Sequence, residues 1–181
     1  MKVSPASLPD VLLIEPRIWR DDRGLFFESF HERKLADAGI RGPFVQDNHS
    51  RSHRNVLRGL HYQIQHPQGK LVRVTSGRVF DVAVDLRKSS STFGKWTSSI
   101  LDSESLNMML VPAGFAHGYL VLSDSADFLY KTTDFYFPHH ERTLAWNDPE
   151  LAIQWPGDPG HFILSGKDRE GVPLRVAEVY P

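Results

Sequence analysis

Short runs of β-branched, aromatic and other apolar residues recur along this chain, and glycine, proline, asparagine or aspartate separates them. Runs of this kind, bounded by turn-forming residues, are typical of β-strands. SG at 76–77 and PAG at 112–114 have the composition of turns. The runs with strand character are VLLIEP, LFFESF, KLVRVTSG, RVFDVAVDL, WTSSIL, NMMLVP, HGYLVLS and ADFLYKTT. The chain is therefore predicted to consist mainly of short strands.

One run shows the two-residue period of a strand clearly. The side chains predicted to share one face are Val79, Asp81, Ala83 and Asp85, and those on the other face are Phe80, Val82, Val84 and Leu86. The best helical candidate is short, at residues 31–39, with Gly39 as its stop signal. Many strands and almost no helix predict an all-β jelly-roll sandwich or barrel, whose mouth would suit a small molecule.

Length and composition narrow the class of protein further. A length of 181 residues fits one domain spanning 1–181. A net charge of −1 gives no basic surface for nucleic acid or membrane, so neither is expected as a partner. The absence of cysteine excludes disulfides and thiolate chemistry. Because no long apolar segment or leader stands out, a cytoplasmic location is expected.

Two segments resemble the metal-binding motifs of cupin jelly rolls. PAGFAH matches the second motif, P-x-G-x2-H, and ends at His117. In the first motif, His61 of RGLHYQ occupies the first histidine position, but Gln63 stands at the second histidine and Lys70 at the glutamate. An ammonium group has no lone pair and would repel a metal ion. We therefore predict no metal, and an imidazole and a cation facing one pocket.

That pair suits proton abstraction beside a ketone. Histidine is a base near neutral pH, and Lys70 could stabilise the developing enolate oxygen. Inversion needs a proton donor on the other face, for which YKTTDFYF offers Tyr130 and Tyr136, and Asp168 of LSGKD could orient the base. Taken singly, each of these residues has an ordinary structural role in most proteins. Only their combination indicates catalysis.

The combination of motifs resembles the dTDP-4-dehydrorhamnose 3,5-epimerase family, from about Arg23 to Asp168. The matching segments are RGLFFESF, QDNHS, VLRGLHYQ, QGKLVRVTSGRVFDVAVDLRKSSSTFGKW, VPAGFAHGYLVLS, YKTTDFYFP, LAWNDPELAIQWP and LSGKD. The resemblance implies a cupin jelly roll without metal or cofactor. It also implies the third step of dTDP-L-rhamnose synthesis, which serves lipopolysaccharide or cell-wall polysaccharide, and a homodimer whose N-terminal strands cross between subunits.

The resemblance also implies a role for each matching residue. His61 would be the base, Asp168 its carboxylate partner, Tyr130 the proton donor, Lys70 the lysine near the sugar carbonyl, and Tyr136 the aromatic that stacks on thymine. The positions that would contact the dTDP-sugar elsewhere are Arg23, Glu28, Gln46, Asn48, Arg58, His117, Glu141 and Lys167. Arginine forks such as those of Arg23 and Arg58 suit a diphosphate.

Three alternatives stay open from the sequence. A related enzyme that inverts only C3 or only C5 of a dTDP-4-keto sugar would carry the same motifs. A non-catalytic sugar-binding cupin would not need a base, a carboxylate partner and an opposing tyrosine together. A metal-dependent cupin would conflict with Gln63 and Lys70.

Overall fold

The computed structural model describes residues 1–181, most of which lie in strands and the turns between them. The strands are β1 (Lys2–Pro5), β2 (Leu12–Glu15), β3 (Ile18–Asp21), β4 (Gly24–Phe27), β5 (Gln46–His53), β6 (Leu57–Gln63), β7 (Lys70–Ser76), β8 (Arg78–Asp85), β9 (Trp96–Asp102), β10 (Met108–Val111), β11 (Phe115–Val121), β12 (Ser125–Thr132) and β13 (Glu141–Thr143). The helices are α1 (Glu32–Asp37) and α2 (Gly166–Arg169), with short 3₁₀ turns at Pro138–His140, Pro159–His161 and Leu174–Val176.

The strands form two large antiparallel sheets and one two-stranded ribbon. The six-stranded sheet has the order β1-β2-β10-β7-β12-β5, the five-stranded sheet the order β13-β6-β11-β8-β9, and β3 pairs only with β4. This arrangement confirms the predicted all-β jelly roll. Neither α1 nor α2 has the length and apolar composition of a membrane-spanning helix.

The predicted alternation along β8 is confirmed, and it separates two cores. Val79 and Ala83 belong to the cluster packed between the sheets, together with residues of β7, β10, β11 and β12. Val82 and Val84 point to the other face of the five-stranded sheet, where the C-terminal segment covers them. Full burial of such a valine contributes about 1.5–3 kcal/mol relative to exposure. Both faces of β8 therefore carry buried apolar side chains, as expected of a strand covered on two sides.

The predicted helix at residues 31–39 is confirmed as α1. The His31 side chain caps its N-terminus by accepting a hydrogen bond from the amide of Lys34. Gly39, with a φ of +86°, follows the helix in the left-handed conformation that glycine adopts without penalty. Leu35 is buried against Ile14 and covers the outer face of the six-stranded sheet.

A β-bulge in β6 determines which side chains face the interior. Arg58 pairs with Tyr119 and His61 pairs with His117, so three steps along β6 match two along β11. Gly59 accommodates the extra residue with a φ of +128°, and a Cβ there would lie 2.5 Å from a Cα of β11. The bulge places Arg58 and His61 on the same face, although strict alternation would separate residues three apart.

Candidate active site

A cavity of about 380 Å³ opens between the two large sheets. Strands β5, β7 and β12 of one sheet and β6 and β11 of the other contribute to its wall. The predicted site residues that line it are His61, Lys70, Tyr130, Gln46, Asn48, Arg58, His117, Tyr136, Glu141 and Lys167. Residues that line it without having been predicted are His49, Ser50, Tyr62, Gln63, Gln68, Tyr119 and Phe128. The structure thus gathers most of the predicted residues around one cavity.

Asp168 lies behind His61 rather than on the cavity wall. Its Oδ1 is 2.6 Å from Nε2 of His61, and it also accepts hydrogen bonds from the Ser165 hydroxyl and the Gly59 amide. Burial raises the pKa of the Asp168 carboxyl, but these hydrogen bonds outweigh burial and hold the pKa at about 2. Asp168 is therefore ionised at neutral pH, so Nε2 of His61 must carry the proton that it donates. This leaves the lone pair of Nδ1 free to accept a proton.

The His61 imidazole is suited to act as a base. Burial lowers its pKa below the ordinary value of 6.5, and the opposing effect of the Asp168 hydrogen bond does not restore it. The ring therefore stays neutral to a lower pH than a free histidine. A neutral imidazole with one fixed tautomer is the form that can abstract a proton.

Lys70 supplies a buried positive charge beside His61. It begins β7, is 7% exposed, and donates a hydrogen bond of 3.1 Å to the His61 carbonyl oxygen. Burial lowers its pKa to about 8, although Glu141 and Asp81 oppose the shift. Two of its three N–H bonds stay available for a bound molecule. Because this ammonium lies where a cupin has its glutamate ligand, the site does not fit a metal ion.

The two candidate tyrosines occupy different places. Tyr130 lies on β12, in the sheet opposite the one that carries His61, and burial raises its pKa, so the phenol keeps its proton at neutral pH. Tyr136 lies in the loop after β12, is 47% exposed, and donates a hydrogen bond of 3.0 Å to Glu141. Lys167 donates to the same carboxylate at 2.8 Å. The geometry favours Tyr130 as the residue facing His61.

A second imidazole–carboxylate pair was not predicted from the sequence. His117 Nε2 lies 2.9 and 3.0 Å from the carboxylate oxygens of Asp81, which is fully buried. Burial raises the pKa of Asp81, and the interaction with His117 opposes the shift. The sequence did carry a signal, because Asp81 is an acidic residue on the inward face of β8 between Val79 and Ala83. A carboxylate on such a face needs a buried partner.

Two predicted substrate contacts lie away from this cavity. Arg23 is in the turn between β3 and β4, where it pairs with Asp21. Glu28 pairs with Lys34 and lines a separate, larger cavity of about 780 Å³ beside β1, β3 and α1. Within one chain, neither side chain reaches the cavity that holds His61.

The jelly roll, with a buried base–carboxylate pair facing a phenol across the cavity, defines a cupin-type protein built for proton transfer. Comparison with known proteins identifies the family within this class. The family model described as dTDP-4-dehydrorhamnose 3,5-epimerase matches residues 5–175, so the chain belongs to that family.

Individual relatives agree with the family match. The chain is 57% identical, over the full length of both proteins, to the dTDP-4-dehydrorhamnose 3,5-epimerase of Pseudomonas aeruginosa. It is similar to the crystal structure of dTDP-6-deoxy-D-glucose-3,5-epimerase from Legionella pneumophila in complex with dTDP-4-keto-L-rhamnose, with a TM-score of 0.95, 47% identity, and coverage of 98% of this chain and 94% of that chain. A 3'-monoepimerase from Streptomyces bikiniensis in complex with dTDP-quinovose is 34% identical, with a TM-score of 0.89 and coverage of 95% and 87%.

Proposed function

We propose that this protein epimerises C3 and C5 of dTDP-4-dehydro-6-deoxy-D-glucose and so forms dTDP-4-dehydro-β-L-rhamnose. The observation that carries the proposal is the His61–Asp168 pair, 2.6 Å apart, on the sheet opposite Tyr130. The family match and the identity of 57% to a 3,5-epimerase support this reaction over the monoepimerase alternative, since a solved 3'-monoepimerase is 34% identical. A cytoplasmic location is part of the same proposal.

The first step is removal of a proton beside the C4 ketone. Nδ1 of His61 takes the proton from carbon, and the electrons of the C–H bond move through the new C=C bond onto the C4 oxygen. Lys70 donates hydrogen bonds to this enolate oxygen, where its buried charge is worth more than in water. Asp168 holds the imidazole in the required tautomer and stabilises the imidazolium that forms.

The second step returns a proton to the opposite face of the same carbon. The Tyr130 phenol donates it, the enolate electrons form the new C–H bond, and the ketone is restored. Exchange with solvent then removes the proton from His61 and restores that of Tyr130. Because C3 and C5 both flank the ketone, one set of groups serves both carbons in turn, and no cofactor is required.

The nucleotide part of the substrate binds at the open end of the cavity. Tyr136 stacks on the thymine, Arg58 pairs with the diphosphate oxygens, and Lys167 contacts the nucleotide sugar. The exposure of Tyr136 at the mouth, and the cationic side chains of Arg58 and Lys167 on the wall, support these roles.

Deuterium incorporation tests the proposed reaction. The protein is incubated with dTDP-4-dehydro-6-deoxyglucose in D₂O, and NMR identifies the carbons that gain deuterium. Incorporation at both C3 and C5, with an L-rhamno product, is expected. Deuterium and inversion at one carbon only would identify a monoepimerase, and none at either carbon would identify a sugar-binding protein.

The pH dependence of kcat/KM should reflect the protonation states of both His61 and Lys70. Protonated His61 cannot accept a proton, so kcat/KM should fall at acid pH with an apparent pKa below 6.5, since burial lowers the His61 pKa. Loss of the Lys70 charge should lower kcat/KM again above about pH 8. In Lys70→Arg, whose guanidinium stays protonated, the alkaline decline should disappear. An acidic limb centred above 6.5 would contradict the assignment of His61.

Replacing Tyr136 with alanine should weaken dTDP binding. Stacking of a base on an aromatic ring contributes about 1–3 kcal/mol, so the affinity for dTDP should fall by a factor between about 5 and about 150, as measured by calorimetry. Phe135→Ala is the matched control, because Phe135 is an exposed aromatic residue next to Tyr136 but does not line the cavity. Unchanged dTDP affinity in a folded Tyr136→Ala protein would refute the stacking role.

We also propose that the enzyme is a homodimer in which Arg23 and Glu28 reach the site of the second subunit. The exposed side chains of Trp19, Leu25 and Phe26 on the β3–β4 ribbon support this, because they need an apolar partner. Light scattering should give the mass of a dimer, and Phe26→Asp should shift it towards the monomer and weaken dTDP binding. A monomeric wild-type protein with full activity would exclude the proposal.

A further inference from the structure

The side-chain amide of Gln63 hydrogen-bonds to the backbone of two neighbouring loops through both its nitrogen and its oxygen. Its Nε2 donates to the carbonyl oxygens of His66 at 2.7 Å and Phe135 at 3.2 Å, and its Oε1 accepts from the amide of Phe137 at 2.7 Å. The residue is 3% exposed, at the end of β6 and two positions from His61. One buried amide thus joins the end of the strand that carries His61 to two loops.

Two of the three backbone groups that Gln63 binds lie on either side of Tyr136. The carbonyl of Phe135 accepts a hydrogen bond from Gln63, and the amide of Phe137 donates one to it. The amide of Tyr136 itself donates to Gln46 Oε1 at 3.1 Å. The ring of Tyr136 is half exposed, with a single hydrogen bond through its hydroxyl. The position of this ring therefore depends on how firmly its backbone is held.

The chemistry of an amide suits this position better than that of the cupin ligand it replaces. A neutral imidazole has one donor and one acceptor, whereas the Gln63 amide supplies two donors and an acceptor at once. The two carbonyl oxygens that it binds would repel a carboxylate. The position that matches a metal-ligating histidine in the cupin motif thus serves here to join two loops.

We propose that Gln63 is a positioning residue, which holds the loop from Asp134 to Phe137 so that Tyr136 stands ready at the cavity mouth for a nucleotide base. This inference rests on the proposed function. Gln63 contacts the loop backbone, and its effect is on binding of the nucleotide rather than on proton transfer.

Gln63→Glu tests the inference, because this change keeps the shape and removes the donors. At pH 8.5 the carboxylate faces two carbonyl oxygens, so dTDP affinity should fall at least about tenfold and KM should rise in parallel. The rate of deuterium exchange at saturating substrate should stay within about threefold of wild type. At pH 5 the protonated carboxyl regains a donor, so part of the loss in dTDP affinity should be recovered. Gln63→Met, with neither donor nor charge, should show the loss at both pH values.

Gln154→Glu is the matched control, because Gln154 is exposed, donates to a single carbonyl, that of Ala152, and does not line the cavity. It should bind dTDP as wild type does at both pH values. The inference is overturned if Gln63→Glu and Gln63→Met bind dTDP as tightly as wild type.

Amide hydrogen exchange separates this inference from the proposed function. The Phe137 amide should exchange as slowly as strand amides in the wild type and much faster in Gln63→Met, whether or not the protein turns over the sugar. Fast exchange of the wild-type Phe137 amide would overturn the inference even if neither variant folds. If the wild type neither binds dTDP nor exchanges substrate protons with solvent, the proposed function fails. The amide hydrogen exchange of Phe137 still decides whether Gln63 holds the loop.

Discussion

Replacing His61 with asparagine should abolish both epimerisation and the exchange of substrate protons with solvent. Asparagine fits the space, but its amide has no basic nitrogen to take a proton from carbon. Positioned general bases contribute about 10²–10⁴ in rate, and His61 would act at both carbons, so a loss of at least about a thousandfold is expected. An NMR time course in D₂O measures both processes in one sample.

His161→Asn is a matched control for His61→Asn. His161 also lies beside an aspartate, Asp158, but its side chain is 74% exposed and outside the cavity. This variant should exchange and epimerise at the wild-type rate. The His61→Asn protein should still bind dTDP, which shows that its site is intact. Exchange at the wild-type rate in His61→Asn would mean that another group is the base.

Replacing Tyr130 with phenylalanine should separate proton removal from inversion. The variant keeps His61, Asp168 and Lys70, so the enolate can still form. Without the phenol no proton is delivered to the opposite face, and the inverted product should fall by at least about a hundredfold. His61 can exchange its proton with solvent and return deuterium to the face from which it was taken. Deuterium should therefore enter the substrate with its configuration retained.

Tyr136→Phe is the comparison that distinguishes the two tyrosines. It keeps the ring for stacking and removes only the hydroxyl that donates to Glu141. Inversion at saturating substrate should persist in this variant and be lost in Tyr130→Phe. Normal inversion in Tyr130→Phe would assign the proton donor to another group, with Tyr136 or a bound water as the next candidates.

The fold and the chemistry of most site residues could be predicted from local sequence. The period of two in β8, the stop signal at Gly39 and the turn-bounded apolar runs predicted strands, a short helix and an all-β sandwich. The identity of a residue is itself chemical information. A histidine, a lysine and a tyrosine in inward-facing strands limit the reaction, and the change from glutamate to Lys70 argued against a metal before any geometry was known.

The choice between residues of the same type needed distances across the fold. The sequence offers Tyr130 and Tyr136 equally as the proton donor. Only their positions, Tyr130 on β12 and Tyr136 at the cavity mouth, distinguish their roles. Asp81 was missed because its partner, His117, comes from a neighbouring strand. Arg23 and Glu28 matched the family pattern, yet the single chain leaves them outside the cavity, so their roles stay predictions.

The sequence by itself determined most of the strands, the two faces of β8 and the kinds of acid and base present, because side-chain period and residue identity are local properties of the chain. Only the tertiary structure decided which of these groups meet. Asp168 binds His61 across 107 residues of sequence, and the bulge at Gly59 turns Arg58 to the face of His61. Both outcomes depend on how distant strands pair and pack, and a local pattern cannot specify that pairing.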